Sequence, residues 1–328
     1  MESSVSPVDV MRVAYRLGNK HLPAYSHQFS RKDRCTLPQL FACLALREFY
    51  HLSFRRLEAL LRDCRDLRQV ARIKTAPDHN TLCDAFDKLT GYTVFAPMLD
   101  ELVAAFEEAG LLKLDEKPLA LDSTHFESHH VSRHFAERRK QGNRKKDQSK
   151  AAERDTRKKQ GGKRKAAPSA TRSDTVSNLP KLALAVACSC HLVLSMWAGT
   201  GMGGDHPHFE TLVYHAWKRA PVKTIVADAG YDKEDHHNRV RNDMNCDSYI
   251  PPLIGRPTDK APADPWRALM KQVWDTPQVK AIYGQRWQEE TVNSMIKRNY
   301  GSSLRAKTPE RREREMLLKA MVHNFALL

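Results

Sequence analysis

Residues 222–232, VKTIVADAGYD, carry the reading of the fold. A short apolar run ends in Asp228, and Gly230 permits a sharp turn just after it. The run is a buried strand, set between a helix over 208–219 and a charged helix over 232–244. A strand between two helices indicates an α/β layer arrangement. Working backward, 181–190 (KLALAVACSC) and 191–199 (HLVLSMWAG) read as adjacent antiparallel strands turning near 189–191. Ser189 and His191 break that stretch, so it is not a membrane span. Earlier still, 118–124 (PLALDST) is a short buried strand predicted to end at Asp122. Working forward, 246–252 is another strand, 255–265 is a Pro-rich connector, and 266–274 (WRALMKQVW) leads into a helix over 282–297.

The 328 residues have room for two domains, and the 41% hydrophobic content is ordinary for a globular chain. Charge is not ordinary. Fifty-four basic against 39 acidic residues give +15, which points to an acidic partner such as nucleic acid. Residues 133–174 alone hold 16 Lys/Arg and 5 Asp/Glu, a net of +11, so one segment supplies most of the excess. The seven cysteines are scattered without a C-x-x-C pair, which argues against a zinc ribbon or a disulfide framework and fits a reducing compartment. No signal peptide is predicted at the N-terminus.

Residues 1–112 read as helical. A strong apolar helix covers 37–50, Ser53 caps a helix over 54–70, and Asp78 caps a third over 79–89. The last two, joined by a short break, suit either a helix-turn-helix that reads DNA or an ordinary helical hairpin. After Asp122, His125, His129, His130, Arg133 and His134 follow in quick succession. HFESH is not H-E-x-x-H, so a zinc protease is rejected; these histidines lie near an anionic ligand or on the surface. The basic tract at 133–175 is too polar to form a core, and reads as a mobile insertion that becomes ordered along a phosphate backbone.

Residues 282–297, IYGQRWQEETVNSMIK, read as one helix. Helical geometry then puts Tyr283, Arg286, Glu290 and Lys297 within an arc of about 60°. Val292, Met295 and Ile296 fall on the opposite, apolar side, and Glu289 falls off the stripe as a bystander. Alone, Arg286 and Glu290 are an ordinary i,i+4 pair, worth about a few tenths of a kcal/mol. Their meaning changes if Asp122 and Asp228 end neighbouring strands beneath the helix, because three carboxylates can hold two Mg2+ about 4 Å apart for in-line phosphoryl transfer. The element order matches an RNase H-like mixed sheet flanked by helices, preceded by an all-α N-terminal domain. The expected division is 1–112 and 113–328. Trp266 and Trp274, just before the helix over 282–297, are candidates for stacking on a flipped base, with core packing as the alternative.

With these residues in place, the chain resembles DDE-class insertion-sequence transposases. The Y-x2-R-x3-E-x6-K signature is matched by Tyr283, Arg286, Glu290 and Lys297. The second-acid motif D-x-G-[YF] resembles Asp228-Ala229-Gly230-Tyr231, and the first acid with its small hydroxyl neighbour resembles Asp122-Ser123. SFRRLEALLRD followed by PDHNTL is similar to the helical domain ahead of the core in many relatives. The resemblance implies a transposase that cuts transposon ends and joins their 3′ ends to target DNA. It implies Asp122, Asp228 and Glu290 as ligands of two Mg2+ ions, with Mn2+ able to substitute, and Tyr283, Arg286 and Lys297 as contacts to transposon-end DNA. The implied partners are double-stranded terminal inverted repeats, target DNA and a second copy of the chain in a synaptic dimer, in the prokaryotic cytoplasm and away from membranes. A catalytically silent, DNA-binding relative and a metal-dependent structure-specific nuclease are the alternatives.

Overall fold

The computed structural model describes residues 5–27, 35–128, 179–200, 206–252 and 264–328. The basic tract at 133–175, His129, His130 and His134, the Gly-rich turn at 201–205 and most of the 255–265 connector lie outside the described residues.

Strands β1 (Leu119–His125), β3 (Pro180–Ala187), β4 (Val193–Thr200), β5 (Thr224–Ala227) and β6 (Asp247–Tyr249) form one sheet in the order β4-β3-β1-β5-β6. The β1/β3 and β3/β4 pairs are antiparallel, and the β1/β5 and β5/β6 pairs are parallel. The expected mixed α/β sheet flanked by helices is therefore present. Two further two-residue strands, β2 (Glu127–Ser128) and β7 (Ser303–Leu304), pair in parallel beside it.

Alternate residues of a strand face opposite sides, and β3 divides its apolar residues between two cores accordingly. Ala183, Ala185 and Ala187 pack with Phe209, Leu212 and Val213 of α7 (His206–Arg219), and the short α8 (Glu234–Asn238) follows β5. Leu182, Leu184 and Val186 pack on the other face, in a core built by the N-terminal helices and α12 (Pro309–Phe325). Those N-terminal helices are α1 (Pro7–His21), α2 (Leu37–Phe49), α3 (Phe54–Asp63), α4 (Arg65–Val70), α5 (His79–Leu89) and α6 (Tyr92–Glu108). Ser53 and Asp78 cap α3 and α5 as their residue types predict: Ser53 accepts from the Arg56 N–H, and Asp78 from the Asn80 and Thr81 N–H groups. The single helix expected over 54–70 is broken at Cys64, whose backbone is extended, and the Arg68 guanidinium bonds the freed Arg62 carbonyl at 2.7 Å.

A second expectation is corrected in β1. Asp122 does not end the strand; antiparallel pairing to β3 continues through His125 opposite Lys181. On its other edge β1 loses its partner early, because the β1/β5 ladder runs only from Leu119 opposite Ile225 to Leu121 opposite Ala227. Asp122 is therefore the first residue beyond the parallel ladder, although it lies mid-strand. Among the described residues no helix is long and apolar enough to cross a membrane.

Candidate active site

The register of β1 and β5 sets the site. Ala120 stands opposite Val226 and Leu121 opposite Ala227, so the next residue of each strand is an aspartate, Asp122 and Asp228. Adjacent strands lie about 4.8 Å apart and side chains alternate, so the two carboxylates follow Ala120 and Val226 on one face. That face carries a small third core of Ala120, Cys188 and Val226, against which Tyr249, Ile282 and Tyr283 pack.

The segment above it is not one helix. α10 (Pro277–Tyr283) gives way to a 3-10 turn over Gly284–Arg286, and α11 (Trp287–Tyr300) then runs on. Gly284, a poor helix former with open space at its Cβ position, sits where the helix tightens. Residues three apart eclipse in a 3-10 turn, and the Arg286 guanidinium accordingly lies over the Tyr283 ring, 5.9 Å from its centroid. From there Arg286 Nη1 donates to Asp122 Oδ2 at 2.9 Å, while Nη2 donates to Glu290 Oε1. One arginine thus ties the strand acid to the helix acid. Asp122 Oδ1 accepts from the Ser123 N–H at 2.7 Å. Burial raises the Tyr283 phenol above its ordinary pKa; Arg286 opposes this, and the charges of Asp228 and Asp122 add to it. Both aspartates therefore lie within electrostatic reach of one ring. Lys297, two turns beyond Glu290, donates to Thr124 Oγ1 of β1, and burial lowers its pKa.

Glu289 lies off the outward stripe, as the helical wheel has it, and is built into the core. At offsets of three, four, seven and eleven residues from it, Val292, Asn293, Ile296 and Tyr300 form with Glu289 one buried stripe of α11. Its side chain is fully buried, Asn293 Nδ2 donates to one oxygen, and the other has no partner. Burial, then the neighbouring Asp122, push its pKa well above the usual carboxylate range. Glu290, next in sequence, is 54% exposed at the side chain. Of the two adjacent acids, one is built into the core and one faces outward beside Arg286.

The other sequence candidates also find places. Trp274 packs edge-on against Tyr283 with centroids 4.7 Å apart, and Trp266 lies under Arg241 at 4.9 Å. Trp287, which the sequence reading passed over, is the most exposed large hydrophobic side chain described, at 54%, and directly follows Arg286. His125 lies within β1. Two cavities among the described residues, of about 650 and 440 Å3, are lined by residues other than these acids.

Among the described residues no three His, Cys, Asp or Glu side chains stand arranged to hold a metal ion. The donor chemistry nonetheless suits Mg2+, which favours carboxylate oxygens. A cation already fits between two of these acids, since the Arg286 guanidinium supplies the positive charge between Asp122 and Glu290.

A mixed sheet with paired acids past a parallel ladder, and a third acid on a helix above, belongs to the α/β proteins that bind ligands at strand ends. The chain belongs to the transposase DDE domain family, which it matches over residues 113–325. Membership implies a transposase-type function on DNA and polynucleotidyl transferase or nuclease chemistry with divalent metal ions. No curated protein matches the chain, and no solved structure does.

Proposed function

We propose that the protein is a DNA transposase that cleaves the ends of its element and joins the new 3′ ends to target DNA. The observation that carries this reading is the β1/β5 register, which brings Asp122 and Asp228 side by side beneath an arginine bonded to Glu290. The sheet order β4-β3-β1-β5-β6 supports an RNase H-like core. The helices over 1–112, which precede the family match and share a core with α12 and one face of the sheet, are the candidate DNA-binding part.

In this reading Asp122, Asp228 and Glu290 would hold two Mg2+ ions, or Mn2+ in their place. When bound, the metal supplies Lewis-acid activation of the attacking oxygen and stabilises the departing one. The protein's own residues do the gripping and alignment. Arg286 exchanges a carboxylate for a phosphate of the transposon end, where its planar fork suits two oxygens. Lys297, anchored at Thr124, holds a neighbouring phosphate as a point charge, and Tyr283 backs Arg286. The first displacement adds water to the end phosphodiester and releases a 3′-OH. The second uses that 3′-OH against a target phosphodiester, so bonds made equal bonds broken. The partners are terminal inverted repeats and target DNA, with a second copy of the chain because two ends must be synapsed, in a prokaryotic cytoplasm.

The test is incubation of the intact protein with a duplex carrying the element's terminal repeat, a target plasmid and Mg2+. Joined product is expected. Cleavage without joining would favour a structure-specific nuclease, and binding without cleavage a silent regulator.

A further inference from the structure

Asp232, four residues after Asp228, is an acid with a different fate. Its side chain is fully buried, and the Arg267 guanidinium grips both of its oxygens. Nε lies 3.1 Å from Oδ1 and 3.2 Å from Oδ2, and Nη2 lies 2.9 Å from Oδ2. Two residues on, Glu234 accepts the backbone N–H groups of Trp266 at 3.0 Å and Arg267 at 3.1 Å. Those are orphan donors at the start of α9 (Pro265–Val273), whose own N-cap residue, Asp264, makes no side-chain cap bond. The loop after the second acid thus holds α9 twice, at its N-terminus and by a side chain.

The far end of α9 leads to the third acid. Trp274, its C-cap residue, packs on Tyr283; Tyr283 lies under Arg286; and Arg286 bonds Asp122 and Glu290. An unbroken series of contacts runs from the loop behind Asp228 to Glu290. It adds a second route to the direct packing of Ile282 and Tyr283 on Val226.

We propose that Arg267, locked by Asp232 and seated by Glu234, is a positioning residue that sets the spacing between Asp228 and Glu290. The proposal rests on the metal-site reading above. It also sets Asp232 apart from Asp228, because its carboxylate is fully buried against the Arg267 guanidinium.

The test is Mn2+ binding to the full chain, read by electron paramagnetic resonance without DNA, together with the Mg2+ dependence of end cleavage. The variants are Arg267→Lys, which keeps the charge and loses the fork, and Glu234→Ala, which removes the helix cap. Arg311→Lys makes the same change at the equally two-toothed pair of Arg311 on α12 with Asp87 on α5 and serves as the control. Loss of a group that orients metal ligands weakens binding about tenfold or more. Arg267→Lys and Glu234→Ala are therefore expected to lose Mn2+ affinity on that scale and to need correspondingly more Mg2+, with unchanged DNA binding. Arg311→Lys is expected to bind Mn2+ as wild type does. Unchanged affinity in a folded Arg267→Lys or Glu234→Ala variant, or an equal loss in Arg311→Lys, would overturn the proposal. Wild-type protein that binds no Mn2+ would overturn the metal-site reading and this proposal with it. Wild type that binds Mn2+ but does not cut DNA would overturn only the transposase reading, and the affinity comparison would still decide the proposal.

Discussion

Lys319→Met tests whether the N-terminal helices and the sheet form one folding unit. Lys319 lies on α12 with no exposure; its Nζ donates to the Tyr300 carbonyl at the end of α11 and lies 3.3 Å from Glu48 Oε2 on α2. Glu48 is 1% exposed and also pairs with Arg47, whose guanidinium lies 4.4 Å from the Phe54 ring centroid. Glu315, buried beside them, accepts the Ala306 N–H at 2.8 Å and is pushed above its usual pKa by burial and then by Glu48; Arg47 and Lys319 oppose the rise. Methionine keeps the methylene stem and removes the charge, leaving two buried carboxyls facing one arginine. Breaking a buried pair in this way costs about 3–5 kcal/mol, against a total of about 5–15 kcal/mol for a domain. The deficit should also depend on pH. A carboxyl whose folded pKa is raised stabilises fully below its unfolded pKa and loses that contribution as pH rises through the folded value. Removing Lys319 raises Glu315 further, so the deficit should be larger at pH 8 than at pH 5. Urea unfolding followed by circular dichroism and tryptophan fluorescence reads both effects. A deficit below about 1 kcal/mol at pH 8 would refute the buried network as the join between the two layers.

The same pH logic applies to Glu289. Its folded pKa is raised by burial, so Glu289→Gln should match wild type in acid and gain in Tm relative to it as pH rises; a constant difference across pH would show an ordinary surface carboxyl. Gly301→Ala should destabilise by about 1–3 kcal/mol. Gly301 has φ +87°, and a Cβ there would meet the His51 ring at 2.6 Å, so unchanged urea midpoints would contradict the packing. Trp274→Ala should lower Tm and loosen Tyr283, whereas Trp266→Ala should mainly lose its contact with Arg241. If either variant instead keeps its Tm and loses only end cleavage, the base-stacking role regains its case over packing.

Much of the fold was legible because local chemistry and tertiary structure agree. Ser53 and Asp78 cap where their types predict, the 181–199 hairpin forms with a turn containing His191 at positive φ, and Asp228 directly follows its strand. Other features were set by contacts distant in sequence. Asp122 reads as a strand end from its polarity, yet β3 extends the pairing three residues past it. The helix at 282–297 reads as continuous because its apolar spacing is regular, but the 3-10 turn at Gly284–Arg286 resets the wheel. Glu289 does lie off the outward stripe; its burial was legible in its spacing to Val292, Asn293 and Ile296. Arg47, Glu48, Glu315 and Lys319 look like surface charges in sequence and are buried only because α2 and α12 pack against each other. The brace from Asp232 and Glu234 to α9 left no sequence signal, since its partners lie more than 30 residues apart.

In the proposed reading Asp122, Asp228 and Glu290 form one metal-dependent centre, and Glu289, though adjacent, belongs to the core beneath it. The most direct measurement is cleavage of a terminal-repeat duplex in Mg2+ by Asp122→Asn, Asp228→Asn, Glu290→Gln and Glu289→Gln, with DNA affinity measured alongside. The first three should bind DNA as wild type does and cut nothing, while Glu289→Gln should still cut. Cleavage by Glu290→Gln, or its loss in Glu289→Gln with Glu290 intact, would contradict the account.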